Sequence, residues 1–88
     1  MLTATNFKQL RKELKPLEGK AMFKLIRTNS MKDGEFLRIL HKVKQKEFEF
    51  FDGEQITHLQ INKANDIEFI PNGFKVLNCT YELLKVMQ

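Results

Sequence analysis

The order of periodicities along the chain predicts an α+β fold. It comprises an N-terminal amphipathic helix, then an antiparallel meander of five or six short strands forming a small barrel or a strongly twisted sheet. On one of two readings of the tail, a short C-terminal helix follows. Three observations carry this expectation. Apolar residues recur at helical spacing between Phe7 and Leu17. From Ala21 onward they alternate or run in short blocks, the strand signature. Asp52-Gly53 and Pro71-Asn72-Gly73 then punctuate those blocks with turn chemistry.

The helix has a start, a face and a stop. Asn6 followed by Gln9 fits a capping box, in which each side chain satisfies an open backbone donor of the first turn. Phe7, Leu10, Leu14 and Leu17 fall within an arc of about 80° at helical pitch. Lys8, Arg11, Lys12 and Lys15 fill a neighbouring arc of about 100°. Pro16 disfavours helical geometry at Lys15, and Gly19 ends the element.

Ala21 to Thr28 reads as the first strand, closing at the polar loop Asn29-Ser30-Met31-Lys32-Asp33-Gly34. Glu35 to Lys46 alternates. Leu37, Ile39, His41 and Val43 share one side, and Phe36, Arg38, Leu40, Lys42, Lys44 and Lys46 share the other. Glu47 to Phe51 follows, with Phe48 and Phe50 assigned to the core and Phe51 as an exposed ring. Asp52-Gly53 signals a tight hairpin into Gln55–Ile61, which stops at Asn62-Lys63-Ala64-Asn65. Asp66–Ile70 and Phe74–Leu77 flank the Pro71-Asn72-Gly73 turn. The tail satisfies two patterns. Leu83, Leu84 and Met87 suit a short helix capped by Thr80, whereas Tyr81, Leu83, Lys85 and Met87 alternate as a strand; the helix is preferred. Strands this short usually curl, which removes sticky edges. Phe7, Leu10 and Leu14 would then cap one open end.

No repeat, low-complexity tract or linker divides the 88 residues, so residues 1–88 are expected to form one domain. A hydrophobic share of 42% and a charged share of 30% are those of a globular chain rather than a disordered one. No apolar run is long enough to span a membrane as a helix. The opening Met1-Leu2-Thr3-Ala4-Thr5 lacks the basic start and apolar stretch of a secretion signal, and a single cysteine, Cys79, makes no internal disulfide. A reducing cytoplasm is the expected location.

The net charge of +4 hides an asymmetry. Residues 8–46 carry twelve Lys or Arg against four Asp or Glu, while residues 47–88 carry three against seven. A basic half of this kind attracts phosphates or acidic protein surfaces and speeds encounter with them.

Catalytic chemistry has little to work with. His41, His58 and Cys79, with Asp52 or Asp66 as orienting acids, match no local nucleophile–base pattern. Cys79 reads as a small core filler, and His41 as a half-buried residue on an apolar strand face. No Cys-x-x-Cys, His-x-x-x-His or calcium-loop spacing occurs, and the isolated glycines form no phosphate loop. The pairs Glu47/Glu49 and Asp66/Glu68 read as solvated strand faces. Neither a metal nor another cofactor is expected, and the chain is not expected to be an enzyme. Lys46-Glu47-Phe48-Glu49-Phe50 has the spacing of base-stacking RNA-binding strands, but two carboxylates beside the rings would repel phosphates.

Two layouts are similar to known families. Thr3-Ala4-Thr5-Asn6-Phe7 before a basic helix resembles the start of prevent-host-death antitoxins, which are DNA-binding repressors, but strands follow where that family needs helices. A helix followed by strands and an Asp-Gly hairpin is similar in layout to Sm-like and YolD-like small barrels. No signature residues match, so neither resemblance transfers a site.

The expected function is therefore a small non-catalytic interaction module. It would bind another protein or a protein–nucleic-acid complex through a basic surface, as an inhibitor or adaptor of the kind carried by phages and other mobile elements. The alternative is a weakly sequence-specific nucleic-acid-binding small β-barrel that contacts DNA or RNA directly. A homodimer, basic half against acidic half, is a third arrangement. The expected contact residues are Lys8, Arg11, Lys12 and Lys15 on the helix and Arg38, Lys42 and Lys44 on a strand face, with Phe36 and Phe51 as exposed aromatic contacts.

Overall fold

A computed structural model describes residues 2–27, 34–61 and 67–87. Helix α1 (Phe7–Leu14) runs into a single 3-10 turn over Lys15–Leu17. Seven strands follow among the described residues: β1 (Ala21–Arg27), β2 (Gly34–Val43), β3 (Glu47–Phe51), β4 (Ile56–Gln60), β5 (Ile67–Ile70), β6 (Gly73–Val76) and β7 (Cys79–Val86). The fold is α+β as expected, with seven strands instead of five or six. The polar loop at residues 29–33, the stop at residues 62–65 and the strand start at residue 66 lie outside the described residues.

The strands form one antiparallel sheet in the order β4-β3-β2-β1-β7-β6-β5. Neighbours in sequence are neighbours in space everywhere except between β4 and β5, which form the two edges. The succession is thus that of an up-and-down barrel opened at one seam. The sheet curls into a half-barrel whose interior is aromatic. Phe23, Phe48, Phe50 and Phe74 are fully buried. Phe48 of β3 meets Phe74 of β6 at 5.7 Å between ring centroids, although three strands separate these two in the sheet. Tyr81 stacks on both Phe50 (5.2 Å) and Phe74 (4.9 Å).

Helix α1 closes this interior. Asn6 Oδ1 accepts the Gln9 backbone N–H at 2.9 Å, and Gln9 Oε1 accepts from the backbone N–H and hydroxyl of Thr5, so the expected cap forms with its return bond one residue earlier. Leu10 and Leu14 are fully buried, and Phe7 packs on Phe48 at 5.7 Å. Two clamps fix the helix to the sheet. Glu13 accepts bonds from the Thr3 and Ala4 backbone, and Asn72 exchanges bonds with both Leu2 and Leu83.

Three expectations are corrected. The tail is strand β7, not a helix, because its alternating residues are needed on both sides: Tyr81 and Leu83 face the core opposite Leu25 and Phe23 of β1, while β6 pairs along its other edge. Strict alternation along β2 fails at a bulge between Leu40 and Lys42. Phe36, Arg38 and Leu40 face inward up to the bulge, and Val43 faces inward after it, opposite Phe48. His41 is squeezed out and exposed, and Lys42 lies on the outer face opposite Glu49. The Asp52-Gly53 hairpin has a four-residue loop, because Phe51 pairs with Ile56. Asp52 Oδ1 shapes that loop by accepting the Glu54 and Gln55 N–H groups, each at 2.9 Å.

Candidate macromolecule-binding groove

The helix stop determines where the cations go. Gly19 turns the chain and donates its N–H to the Leu40 carbonyl at 2.7 Å, and Glu18 accepts the Val43 N–H at 2.7 Å. That backbone bond holds the Glu18 carboxyl below the usual carboxylate range. These bonds lay the C-terminal half of α1 beside the β2–β3 turn. Between them lies an open groove of about 650 Å³. Pro16 and Val43 supply apolar lining, and Arg11, Lys12, Lys15 and Lys44 supply charge. Two segments distant in sequence thus bring cations to one place.

The four cations differ in availability. Lys15 pairs with Glu18 at 3.2 Å. Lys44 pairs with Glu49 at 2.6 Å and Glu47 at 3.6 Å, and the Glu49 contact pushes its ammonium above the usual lysine range. Arg11 and Lys12 make no ion pair among the described residues; Lys8 makes none either, but it does not line the groove. Arg11 is half-buried with its guanidinium 5.1 Å from the Phe7 ring centroid, and its Nε is buried without a hydrogen-bond acceptor. A buried donor left open costs about 1–3 kcal/mol, and more when charged.

The remaining expected contacts are elsewhere. Arg38 lies on the inner face opposite Phe23, away from the groove, because the bulge separates it from Lys42 and Lys44. Its guanidinium and that of Arg27 flank the Phe36 ring at 5.4 and 5.6 Å. Lys42 is exposed on the outer face. Phe51, 36% exposed, joins Met22, Ile39 and Ile56 in an apolar row across the outer face of β1–β4. No known protein family, curated protein or solved structure matches the chain.

The sequence reading missed two features. Glu49 is only 6% exposed rather than solvated, and with Glu47 and His58 it forms an ionic cluster around Lys44. Arg27 beside Phe36 was also missed; its position at a strand end carried no local signal. Cys79 faces inward and burial pushes its thiol up, away from the thiolate, while His58 faces outward opposite Glu49.

Proposed function

We propose that this chain is a non-catalytic interaction module that seats an acidic segment of a partner protein in the groove between α1 and the β2–β3 turn. The observation that carries this reading is Arg11: a half-buried guanidinium over the Phe7 ring, without an ion-pair partner among the described residues, in a groove of mixed apolar and basic lining. A carboxylate from outside pairs with the guanidinium, while an apolar neighbour in the same segment covers Pro16 and Val43. Direct nucleic-acid binding is the second reading. It is less well supported because Lys15 and Lys44 are already paired and Arg38 and Lys42 do not join the groove. A groove that tracks a phosphate backbone needs a run of free cations.

The test is a fluorescence titration of two labelled probes, a peptide alternating Glu and Leu and a single-stranded oligonucleotide, at low and moderate salt. The expected result is saturable peptide binding that weakens with salt and falls by about tenfold or more in Arg11→Ala. Tighter binding of the oligonucleotide transfers the assignment to nucleic acid. Peptide binding that Arg11→Ala leaves unchanged removes the groove from consideration.

A further inference from the structure

We propose that Glu47, Glu49 and His58 form a binding site for a divalent first-row transition ion of the zinc type on the outer face of the sheet. The proposal does not rest on the groove reading above, although the two sites share Lys44. Its ligands stand on paired strands: Glu49 of β3 lies directly opposite His58 of β4, and Glu47 is the next residue on the same face of β3. His58 Nδ1 is 3.1 Å from Glu47 Oε2 and 3.7 Å from Glu49 Oε2, and all three atoms lie within 4.8 Å of one another. Zinc bonds of about 2.0–2.2 Å in tetrahedral geometry place neighbouring ligand atoms about 3.4 Å apart. To hold the ion, the His58–Glu47 pair at 3.1 Å must widen slightly and the His58–Glu49 pair at 3.7 Å must close slightly.

Lys44 is the cation that an incoming ion would have to displace. Its ammonium rests on both carboxylates, at 2.6 Å from Glu49 and 3.6 Å from Glu47, so the chain itself already puts a positive charge at this spot. Glu49 is 6% exposed, and a carboxylate that buried requires a cation beside it. The lysine, however, is a monovalent charge on a flexible stem, 53% exposed, and a divalent ion must displace it from Glu49. One imidazole nitrogen with two carboxylates is a borderline donor set that suits zinc, leaving a fourth position for water. On binding, the Nδ1 lone pair faces the ion, the imidazole proton resides on Nε2, and Lys44 leaves. Because Lys44 also lines the groove, the displaced charge becomes available there.

Calorimetric titration of the full chain with zinc chloride at neutral pH tests the site, with the visible spectrum of the cobalt-substituted protein as a readout of coordination. One ion per chain and a tetrahedral cobalt band are expected. His58→Ala removes a ligand at an exposed position and should weaken binding by more than the about 10- to 100-fold lost with an outer-shell partner. Lys44→Ala removes the competing cation and should tighten binding, a change opposite in sign to that of His58→Ala. Circular dichroism of both variants checks that the fold is retained. No saturable binding to the parent chain overturns the proposal, as does an affinity unchanged in His58→Ala or not tightened in Lys44→Ala.

Discussion

Leu77 occupies a backbone position ill suited to leucine. It lies in the two-residue connection between Val76 and Cys79, at φ +54, with its side chain 79% exposed. The left-handed region costs a non-glycine residue about 1–2 kcal/mol, and Asn or Asp tolerate it best. Leu77→Asn is therefore expected to stabilise the fold by about 1 kcal/mol, raising Tm by roughly 4–8 °C in a thermal melt. Gly73 is the opposite case. A Cβ there would overlap the Tyr81 carbonyl oxygen of the neighbouring strand. Gly73→Ala is expected to cost about 3 kcal/mol, the upper end of the usual overpacking penalty, by chemical denaturation, because the β6–β7 ladder must separate to admit a methyl group. Neither residue stands out in the sequence. Pro71-Asn72-Gly73 announces a turn, but it does not show that the left-handed residue is Asn72 (φ +60) and that Gly73 serves close approach.

The helix is stabilised mainly by what it covers, not by its own propensity. Eight residues make too short a helix to persist alone in water. Its cap and its buried face should therefore weigh differently. Asn6→Ala loses one capping bond and is expected to cost about 1 kcal/mol. Leu14→Ala empties a fully buried position between helix and half-barrel and is expected to cost about 2–5 kcal/mol. Equal losses in the two variants would show that α1 is not the plug described. The helix was legible because its cap, apolar arc and glycine stop all lie within a few residues of one another. Strand β7 was not. Its eight residues satisfy both periods, and only the free edges of β1 and β6 decide between them.

At the scale of the molecule, stability should be bounded by pH on both sides. Glu18, Glu47 and Asp52 are each held below their ordinary values. The causes are the Val43 N–H for Glu18, His58 for Glu47, and the Gln55 and Glu54 N–H groups for Asp52. Depressed carboxylates contribute stability that is present above their unfolded values and lost as the pH falls through the folded ones. Tyr81 is shifted upward by burial, so its contribution is full below about pH 10 and is lost as the pH rises from there through the folded value. A stability profile should therefore fall below the carboxylate range and again above about pH 10. Tyr81 is the single tyrosine in a chain without tryptophan, so phenolate absorbance reads it directly. Ionisation at the ordinary tyrosine pH while the chain remains folded would contradict its placement between Phe50 and Phe74.

Much of this architecture follows from local rules. The helix, the strand-rich remainder, the buried Phe48 and Phe50, and the clustering of cations in the first half of the chain all rest on spacing and composition. The cation cluster was only partly legible. The helical spacing of Arg11, Lys12 and Lys15 places them on one flank, but nothing local announces the bulge after Leu40 that puts Arg38 inside, Lys42 outside and Lys44 at the groove. Likewise, the Glu47–Glu49 spacing shows a shared face, but not that His58 and Lys44 arrive there from another strand and a turn. Sidedness in a curled sheet depends on register and bulges, which are properties of strand pairs, so only the tertiary structure decided which charges meet.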